Sequence, residues 1–409
     1  MAALIRAASI VDKGVLYDQG GFDDAVRYLD SARVFSSTGA ISFSDTPHSA
    51  YQMPGYAVLL ALFFRLSSNP LVQVLLIKIF LLVVSVASIY VLYLIGKRVD
   101  GVRVGLVSAA LLTFSLPHIY TGNLTLSENP FTLGLLAMTL LVIRMADRPS
   151  WRAFFALMVV SFASLYVKQA AVGLVVPALV YLLIRRYPRS LLLRQAGVAI
   201  AIGLIVLAPW WVRNYQVFGT FVPFTSMDGA PFFEGTFQRF QPYGSGSMQA
   251  IDELKGKGWP ASEVDRNRIL ADAGRARIRG RWSADPQGVL LSYTVMKPAA
   301  AWLLPFYWDR VFGISGYWVL RIHAALSVLG LVLLGLFSVR SSSRAEFLFF
   351  FMNVGVITVG AAYYLGLSRY VYPFMPFLYV AIAYLVDRTV SALRHANGVT
   401  GAEAQESPS

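Results

Sequence analysis

The sequence predicts an all-α, polytopic membrane protein with about nine transmembrane helices and amphipathic interfacial helices in two outer loops. Of its 409 residues, 56% are hydrophobic and 14% are charged, whereas soluble proteins average about 25% charged residues. Runs of roughly 17–25 apolar residues, long enough to cross a bilayer as helices, recur along the chain. The predicted spans are residues 71–96, 102–120, 129–146, 153–167, 170–185, 196–212, 317–338, 346–364 and 371–388.

The connections between these spans differ in charge, which predicts the orientation of the chain. The short connections on one side hold only Lys168 and Arg369, while those on the other side are strongly basic. Cytoplasmic loops are enriched in lysine and arginine, so residues 1–70 and 213–316 are expected outside. The basic residues of the cytoplasmic connections are Lys97, Arg98, Arg103, Arg144, Arg148, Arg152, Arg185, Arg186, Arg189, Arg194, Arg340, Arg344, Arg388 and Arg394.

This charge pattern also bears on partners and chemistry. It accounts for the net charge of +13, so nucleic acid is not an expected partner, whereas membrane lipid is. The chain has no cysteine, which excludes disulfides, thiolate metal sites and cysteine nucleophiles. Its brevity, without a lumenal domain, favours a bacterial plasma (inner) membrane.

Five parts follow in order along the chain. They are a first extracytoplasmic loop (1–70), six transmembrane helices (71–212), a large extracytoplasmic loop (213–316), three transmembrane helices (317–390) and a disordered cytoplasmic tail (391–409). No apolar segment before residue 55 is long enough to carry the N-terminus outside. We therefore expect either a further span before residue 1 or translocation of this segment together with its neighbour.

The two outer loops each contain an amphipathic helix and an interfacial helix. In the first loop, Asp23 is placed to cap a helix that runs to about residue 36, and Asp24 and Tyr28 share a face of it because they are four residues apart. An apolar interfacial helix follows at 56–66. In the second loop, a charged helix (262–282) capped by Ser262 precedes an interfacial helix at 287–308.

Several different short motifs occur one after another along nearly the whole chain. They are Asp24-Ala25-x-x-Tyr28, Pro54-Gly55-Tyr56, Leu126-Ser127-Glu128, Val167-Lys168-Gln169, Trp211-Val212-Arg213-Asn214-Tyr215-x-x-Phe218-Gly219, Asp285-Pro286 and Arg369-Tyr370. Together they resemble the GT-C superfamily of membrane glycosyltransferases, and most closely glycosyltransferase family 39, which includes protein O-mannosyltransferases and the lipid A aminoarabinose transferase.

The resemblance implies an inverting transfer of a sugar from a polyprenyl-phosphate carrier to an acceptor hydroxyl at the outer face. The acceptor would belong to a glycan, a lipid or a protein. Family members often carry Asp-Glu where this chain has Asp23-Asp24, which leaves open which aspartate is the base. The alternatives are a transporter or flippase, or a polymerase or ligase, for lipid-linked sugars; a transporter would be expected to bury charges in mid-helix.

The candidate site residues lie at the predicted outer surface. Asp24, or Asp23 in its place, would accept the proton of the acceptor hydroxyl; both could instead be helix-capping acids. Glu128 opens a span, where an acid is also favoured by the helix dipole. Asp24 and Glu128 would suit Mg²⁺ or Mn²⁺, because hard cations prefer carboxylates, and the need for a metal stays open.

Basic side chains would stabilise the negative charge on the departing polyprenyl phosphate. Lys168, Arg213 and Arg369 sit at outer ends of spans, against the general charge bias, and Lys297 is a further candidate. Snorkelling to lipid headgroups is the alternative explanation. The resemblance adds three residues that would bind the carrier or the sugar: Tyr28, Asn214 and Tyr370.

Overall fold

The computed structural model describes residues 1–17, 23–43, 46–238 and 246–403. This part of the chain is almost entirely helical, apart from a short antiparallel pair, β1 (Ser42–Phe43) and β2 (Thr46–Pro47). The α-helices are α1 (Ala2–Lys13), α2 (Asp23–Thr38), α3 (Gly55–Leu66), α4 (Pro70–Phe114), α5 (Leu116–Thr121), α6 (Glu128–Asp147), α7 (Trp151–Val167), α8 (Val175–Ile184), α9 (Arg189–Phe218), α10 (Gly229–Gly235), α11 (Ser247–Gly256), α12 (Glu263–Ala284), α13 (Pro286–Leu291), α14 (Lys297–Leu303), α15 (Gly316–Arg340), α16 (Arg344–Tyr363), α17 (Ser368–Val371) and α18 (Met375–Glu403).

Six helical segments in the described residues are long and apolar enough to cross a membrane: α4, α6, α9, α15, α16 and the segment Ser368–Arg394. The chain is therefore an integral membrane protein. The predicted count of nine spans is not confirmed. The apolar helices α7 and Gln169–Ile184, both expected as spans, are shorter than these six.

Helix α4 contains a reversal that joins two predicted spans. Its backbone leaves helical geometry at Asp100 (φ −158°, ψ 45°) and Gly101 (φ 90°, ψ −178°). A positive φ of this kind favours glycine, because a side chain would be strained there. The two legs are in close contact, since a Cβ on Gly96 would lie 2.8 Å from the Cα of Gly105. Spans 71–96 and 102–120 thus form a helical hairpin.

The basic connections assigned to the cytoplasm meet at one end of the bundle. Asp147, at the end of α6, accepts hydrogen bonds from Arg98 (2.6 Å) and from Arg185 (2.8 Å). Arg185 also pairs with Glu346 at 3.3 Å. Helix α6 has 20 residues, which places its other end about 30 Å away, the thickness of the hydrocarbon core.

The Ser368–Arg394 segment runs through the centre of the bundle. Over its most apolar stretch, 78% of the segment is buried, compared with 11% for α9. Helix α9 therefore exposes most of its surface to lipid. The central position of the Ser368–Arg394 segment places its first turn, which carries Arg369, against α6.

Helices and loops at the other end form the outer segments. Helix α2 packs on α3, and Ser262 caps α12 through the backbone N–H of Asp265 (3.4 Å). The interfacial stretch 287–308 is divided into α13, a π-helical turn (Ser292–Met296) and α14. The final helix extends to Glu403, past residue 391, where a disordered tail was expected to begin; residues 404–409 lie outside the described part.

Candidate functional site

Helix α2 brings Asp24 and Tyr28 to the start of α6. Its residues Ala25 and Leu29 are buried in one cluster with residues of α3, and Asp24 and Tyr28 lie on the neighbouring face of the helix. The hydroxyl of Tyr28 donates to Oγ of Ser127 at 3.1 Å, one residue before Glu128. The Tyr28 ring also packs edge-on against Tyr56, with centroids 4.8 Å apart. These contacts hold Asp24 beside the N-terminus of α6.

Glu128, the first residue of α6, is completely buried between two cations. Its Oε1 accepts a hydrogen bond from Nζ of Lys168 at 2.7 Å. Arg369 grips the same carboxylate through two donors: Nε binds Oε1, and Nη2 lies 3.4 Å from Oε2. The exposed fraction of the Glu128 side chain is 0%, so its negative charge is compensated by protein rather than by water.

Arg369 also joins Asp24 to this pair, because its Nη1 donates to Oδ2 of Asp24. Asp24, Arg369, Glu128 and Lys168 therefore form one ion network, which we call the charge cluster; their formal charges sum to zero. Exposure rises from Glu128 (0%) through Arg369 (18%) and Lys168 (19%) to Asp24 (33%). The cluster opens toward the outer segments at Asp24. Burial lowers the pKa of Lys168, and the attraction of Glu128 opposes this.

Two predicted carrier-binding residues, Arg213 and Asn214, lie in a different contact set. Arg213 donates to the carbonyl oxygen of Ile41 at 3.2 Å and to Oδ1 of Asn214 at 2.9 Å. Asn214 is fully buried and donates to the carbonyl oxygen of Val222 at 3.0 Å. Within the described residues, these contacts tie the end of α9 to the outer loops, and the structure does not bring either side chain into the charge cluster.

Lys297 is likewise separate from the cluster. The residue is 1% exposed, and its ammonium donates to the carbonyl oxygens of Ala362 (3.0 Å) and Tyr364 (3.1 Å) at the end of α16. It also lies 3.6 Å from the ring centroid of Tyr293. Burial lowers the pKa of Lys297 to about 7, and the positive charge of Arg281 lowers it further.

The remaining predicted residues flank the cluster. Tyr370 follows Arg369 on α17 and is partly buried against the main core. Asp23 begins α2, but its side chain lies outside the described part of the structure.

Glu263 and Tyr51 lie between the two outer segments and were not predicted as site residues. The Glu263 carboxylate accepts hydrogen bonds from Ser49 Oγ (2.8 Å), Ala50 N (2.5 Å) and Ser226 Oγ (2.8 Å). Burial raises the pKa of Tyr51 to about 12, and the negative charge of Asp24 adds to this. In the sequence, Glu263 is only an acid in the first turn of a capped helix. Its hydrogen-bond partners are distant along the chain, so no local sequence pattern predicts them.

The donor set of the cluster does not fit the Mg²⁺ or Mn²⁺ site that was considered for Asp24 and Glu128. Both oxygens of Glu128 face Arg369, and Oε1 also faces Lys168. Asp24 faces Arg369 as well. No group of three or more metal-ligating side chains occurs in the described ranges. The two basic side chains occupy the positions at the carboxylates that a divalent cation would need.

An apolar cavity of about 330 Å³ lies between α6, α7, α8, α9 and α16. Its lining includes Leu165 and Ala171, which flank Lys168 three residues to either side, and it continues to Phe154 on α7. The stretch from Leu165 to Phe154 is about 16 Å long at 1.5 Å per residue. The cavity therefore begins next to the charge cluster and extends into the bundle.

Comparison with known sequences finds one family model that matches part of the chain. The family model for dolichyl-phosphate-mannose-protein mannosyltransferases matches residues 47–212. This range contains Glu128 and Lys168, whereas Asp24 and Arg369 lie outside it. A search of curated proteins finds no match.

Solved structures add a similarity that covers nearly the whole chain. The archaeal oligosaccharyltransferase AglB from Archaeoglobus fulgidus, in complex with an inhibitory peptide and a dolichol-phosphate, matches with a TM-score of 0.54 and 14% identity, over 97% of this chain and 51% of AglB. This chain therefore spans about half the length of AglB and shares its fold.

ArnT from Cupriavidus metallidurans matches at 14% identity in two states. In the apo state the TM-score is 0.42, over 90% of this chain and 77% of ArnT. For ArnT bound to undecaprenyl phosphate, the TM-score is 0.43, over 88% of this chain and 76% of ArnT.

Proposed function

We propose that this chain is a membrane glycosyltransferase of the GT-C superfamily and moves a sugar from a polyprenyl-phosphate carrier to an acceptor hydroxyl. Its fold and its partial family match support this proposal. The observation that carries the proposal is the charge cluster. It combines a partly exposed carboxylate, Asp24, with two cations, Arg369 and Lys168, that are held by a buried acid. General base catalysis and phosphate binding need these groups side by side.

The two cations of the cluster would bind the carrier phosphate. Arg369 presents Nη1 on the more exposed side, where it now contacts Asp24, while Nε and Nη2 face Glu128. A guanidinium can bind phosphate through two donors, and the Lys168 ammonium would add a point charge. The role of Glu128 in this proposal is to hold both cations in place, because an unpaired buried charge is strongly unfavourable.

Asp24 would act as the general base, and the atoms balance without a further reactant. The acceptor oxygen forms a bond to the anomeric carbon from the face opposite the phosphate, so the configuration inverts. The bond from that carbon to the phosphate oxygen breaks, and its electron pair stays on the polyprenyl phosphate. The acceptor proton moves to Asp24. Arg369 and Lys168 stabilise the negative charge that grows on the leaving phosphate.

The apolar cavity beside Lys168 would receive the first part of the carrier chain. Leu165 and Ala171 line it on either side of this lysine, so a phosphate held by the cluster places the chain at its entrance. Apolar cavities of about 150 Å³ already accept hydrophobic guests. The cavity volume of about 330 Å³ is enough for a segment of an isoprenoid chain.

The acceptor would enter between the two outer segments, where Tyr51 and Glu263 lie beyond Asp24. The basic connections at the opposite end of the bundle favour a cytoplasmic location for that end. We therefore propose that the cluster lies on the extracytoplasmic face, in a bacterial plasma (inner) membrane.

The test is to incubate the purified chain in lipid nanodiscs with a panel of radiolabelled polyprenyl-phosphate sugars. The proposal predicts that one donor is consumed and yields free polyprenyl phosphate, at a rate that depends on an added acceptor. A transporter would leave the sugar–phosphate bond intact. Failure of every donor to be cleaved, in the presence of glycan, lipid and peptide acceptors, would contradict the proposal.

A further inference from the structure

The loop that leads to Arg369 is joined to the large outer segment by a small set of partly buried contacts. We call this set the joint; its residues are Gln238, Ser292, Lys297, Tyr364 and Gly366. Helix α16 ends at Tyr363, and only four residues separate its C-cap residue Tyr364 from Arg369. The position of the joint therefore directly affects where α17 begins.

Lys297 provides the charge in the joint. Its ammonium donates to the carbonyl oxygens of Ala362 and Tyr364, at 3.0 and 3.1 Å. These carbonyls lie at the C-terminal end of α16, where the helix dipole is negative and a cation is stabilising. Among the described residues, no ion pair is recorded for Lys297, so its charge is compensated by the end of this helix and by the ring of Tyr293.

The backbone of the loop is in direct contact with the same segment. A Cβ on Gly366 would lie 2.7 Å from the carbonyl oxygen of Lys297 and 2.8 Å from its Cα. The N–H of Gly366 donates to Oε1 of Gln238 at 2.7 Å, and the carbonyl of Gln238 accepts from Ser292. Three separate stretches of chain are thus locked together immediately before Arg369.

The local helix geometry is also unusual at this point. Ser292–Met296 forms a π-helical turn directly before Lys297, and such turns occur frequently at functional sites. The turn belongs to the outer segment 213–316, which the proposed function assigns to acceptor binding. The joint is therefore a physical connection between the acceptor side and the carrier side of the site.

We infer that Lys297 is a positioning residue: through Tyr364 and Gly366 it sets the place of Arg369 in the charge cluster and so couples the large outer segment to carrier binding. This inference rests on the proposed function. The sequence predicted a different role for Lys297, namely direct contact with the carrier.

The experiment measures the affinity of the full chain in nanodiscs for radiolabelled undecaprenyl phosphate. Lys297→Met keeps the apolar stem and removes the ammonium. Its expected effect is about a tenfold weaker affinity, the size of an ordinary coupling through a shared backbone shift. The matched control is Lys255→Met, an exposed lysine of the same outer segment paired with Asp252, which should leave the affinity unchanged.

A double-mutant cycle separates positioning from a general structural role. Because Lys297 acts through Arg369, Lys297→Met should weaken binding less than about twofold further in an Arg369→Lys background. The same tenfold effect in both backgrounds, or unchanged affinity in a folded Lys297→Met chain, would overturn the inference while leaving the proposed function intact.

If thermal unfolding shows that Lys297→Met does not fold, Gln238→Met, which removes the side-chain hydrogen bond to Gly366, replaces it in the cycle. The same two results then decide for or against the inference. If the unmodified chain binds no polyprenyl phosphate, the proposed function fails and the inference fails with it.

Discussion

Replacing Asp24 with asparagine separates the chemistry of the cluster from its stability. The side chain is 33% exposed and contacts one cation, Arg369, which keeps its two contacts with Glu128. A partly exposed ion pair contributes about 1 kcal/mol, and the amide oxygen of asparagine can still accept a hydrogen bond from Arg369. We therefore expect Asp24→Asn to lower the free energy of unfolding by about 1 kcal/mol.

The expected loss of activity is much larger than this. A general base contributes roughly 10²- to 10⁴-fold to the rate, which corresponds to about 2.7–5.4 kcal/mol of activation free energy at 1.36 kcal/mol per tenfold change. An asparagine cannot accept the acceptor proton. The transfer rate should therefore fall at least about a hundredfold, while affinity for the carrier changes little because Arg369 and Lys168 remain.

The assay is single-turnover transfer from a radiolabelled polyprenyl-phosphate sugar by chain reconstituted in nanodiscs, with thermal unfolding measured in parallel. Asp30→Asn is the matched control, because Asp30 is on the same helix and also pairs with an arginine, Arg33, at 2.9 Å. Asp23→Asn tests the neighbouring carboxylate. If Asp24→Asn retains more than about a hundredth of the rate, or if Asp23→Asn alone abolishes it, Asp24 is not the base.

Other consequences can be measured independently. Glu128→Gln should lower the free energy of unfolding by about 3–5 kcal/mol, since it leaves buried cations without their carboxylate; a thermal midpoint equal to that of the unmodified chain would contradict this. Transfer should persist in excess EDTA, and a loss restored by Mg²⁺ or Mn²⁺ would show that the cluster is a metal site after all. Because the chain has no cysteine, Lys257→Cys should react with an impermeant thiol reagent on intact cells and Arg148→Cys should not; the reverse pattern would invert the orientation.

Much of the fold follows from local sequence properties. The reversal in α4 lies where basic residues were predicted to separate two apolar spans, and the structure shows that Gly101 supplies the positive φ at this point. The cap at Ser262 was predicted from residue type and position. The number of spans was harder to predict, because apolar runs that are shorter than a full crossing, such as α7, look similar whether they cross the bilayer alone or pack inside a bundle.

The site was predicted as separate residues rather than as a network. Glu128, Lys168 and Arg369 were proposed as site residues because each is a charge at a predicted outer helix end, and the two cations run against the charge bias of that side. Arg213 carries the same signal, and Lys297 was a further candidate within the predicted interfacial helix. Their partners nevertheless include the carbonyl oxygens of Ile41, Ala362 and Tyr364. Whether a cation binds a carboxylate or a carbonyl oxygen depends on contacts between distant parts of the chain. Local sequence patterns do not predict such contacts.

The most direct test of the account is the equilibrium affinity of the chain for radiolabelled undecaprenyl phosphate, compared between Arg369→Gln and Arg213→Gln. Both arginines lie at outer helix ends, but only Arg369 belongs to the charge cluster. We expect Arg369→Gln to weaken binding roughly 10- to 100-fold, as for loss of a charge-assisted hydrogen bond, and Arg213→Gln to leave it within about twofold. Equal affinities in the two variants, or a loss confined to Arg213→Gln, would contradict the assignment of the cluster as the carrier site.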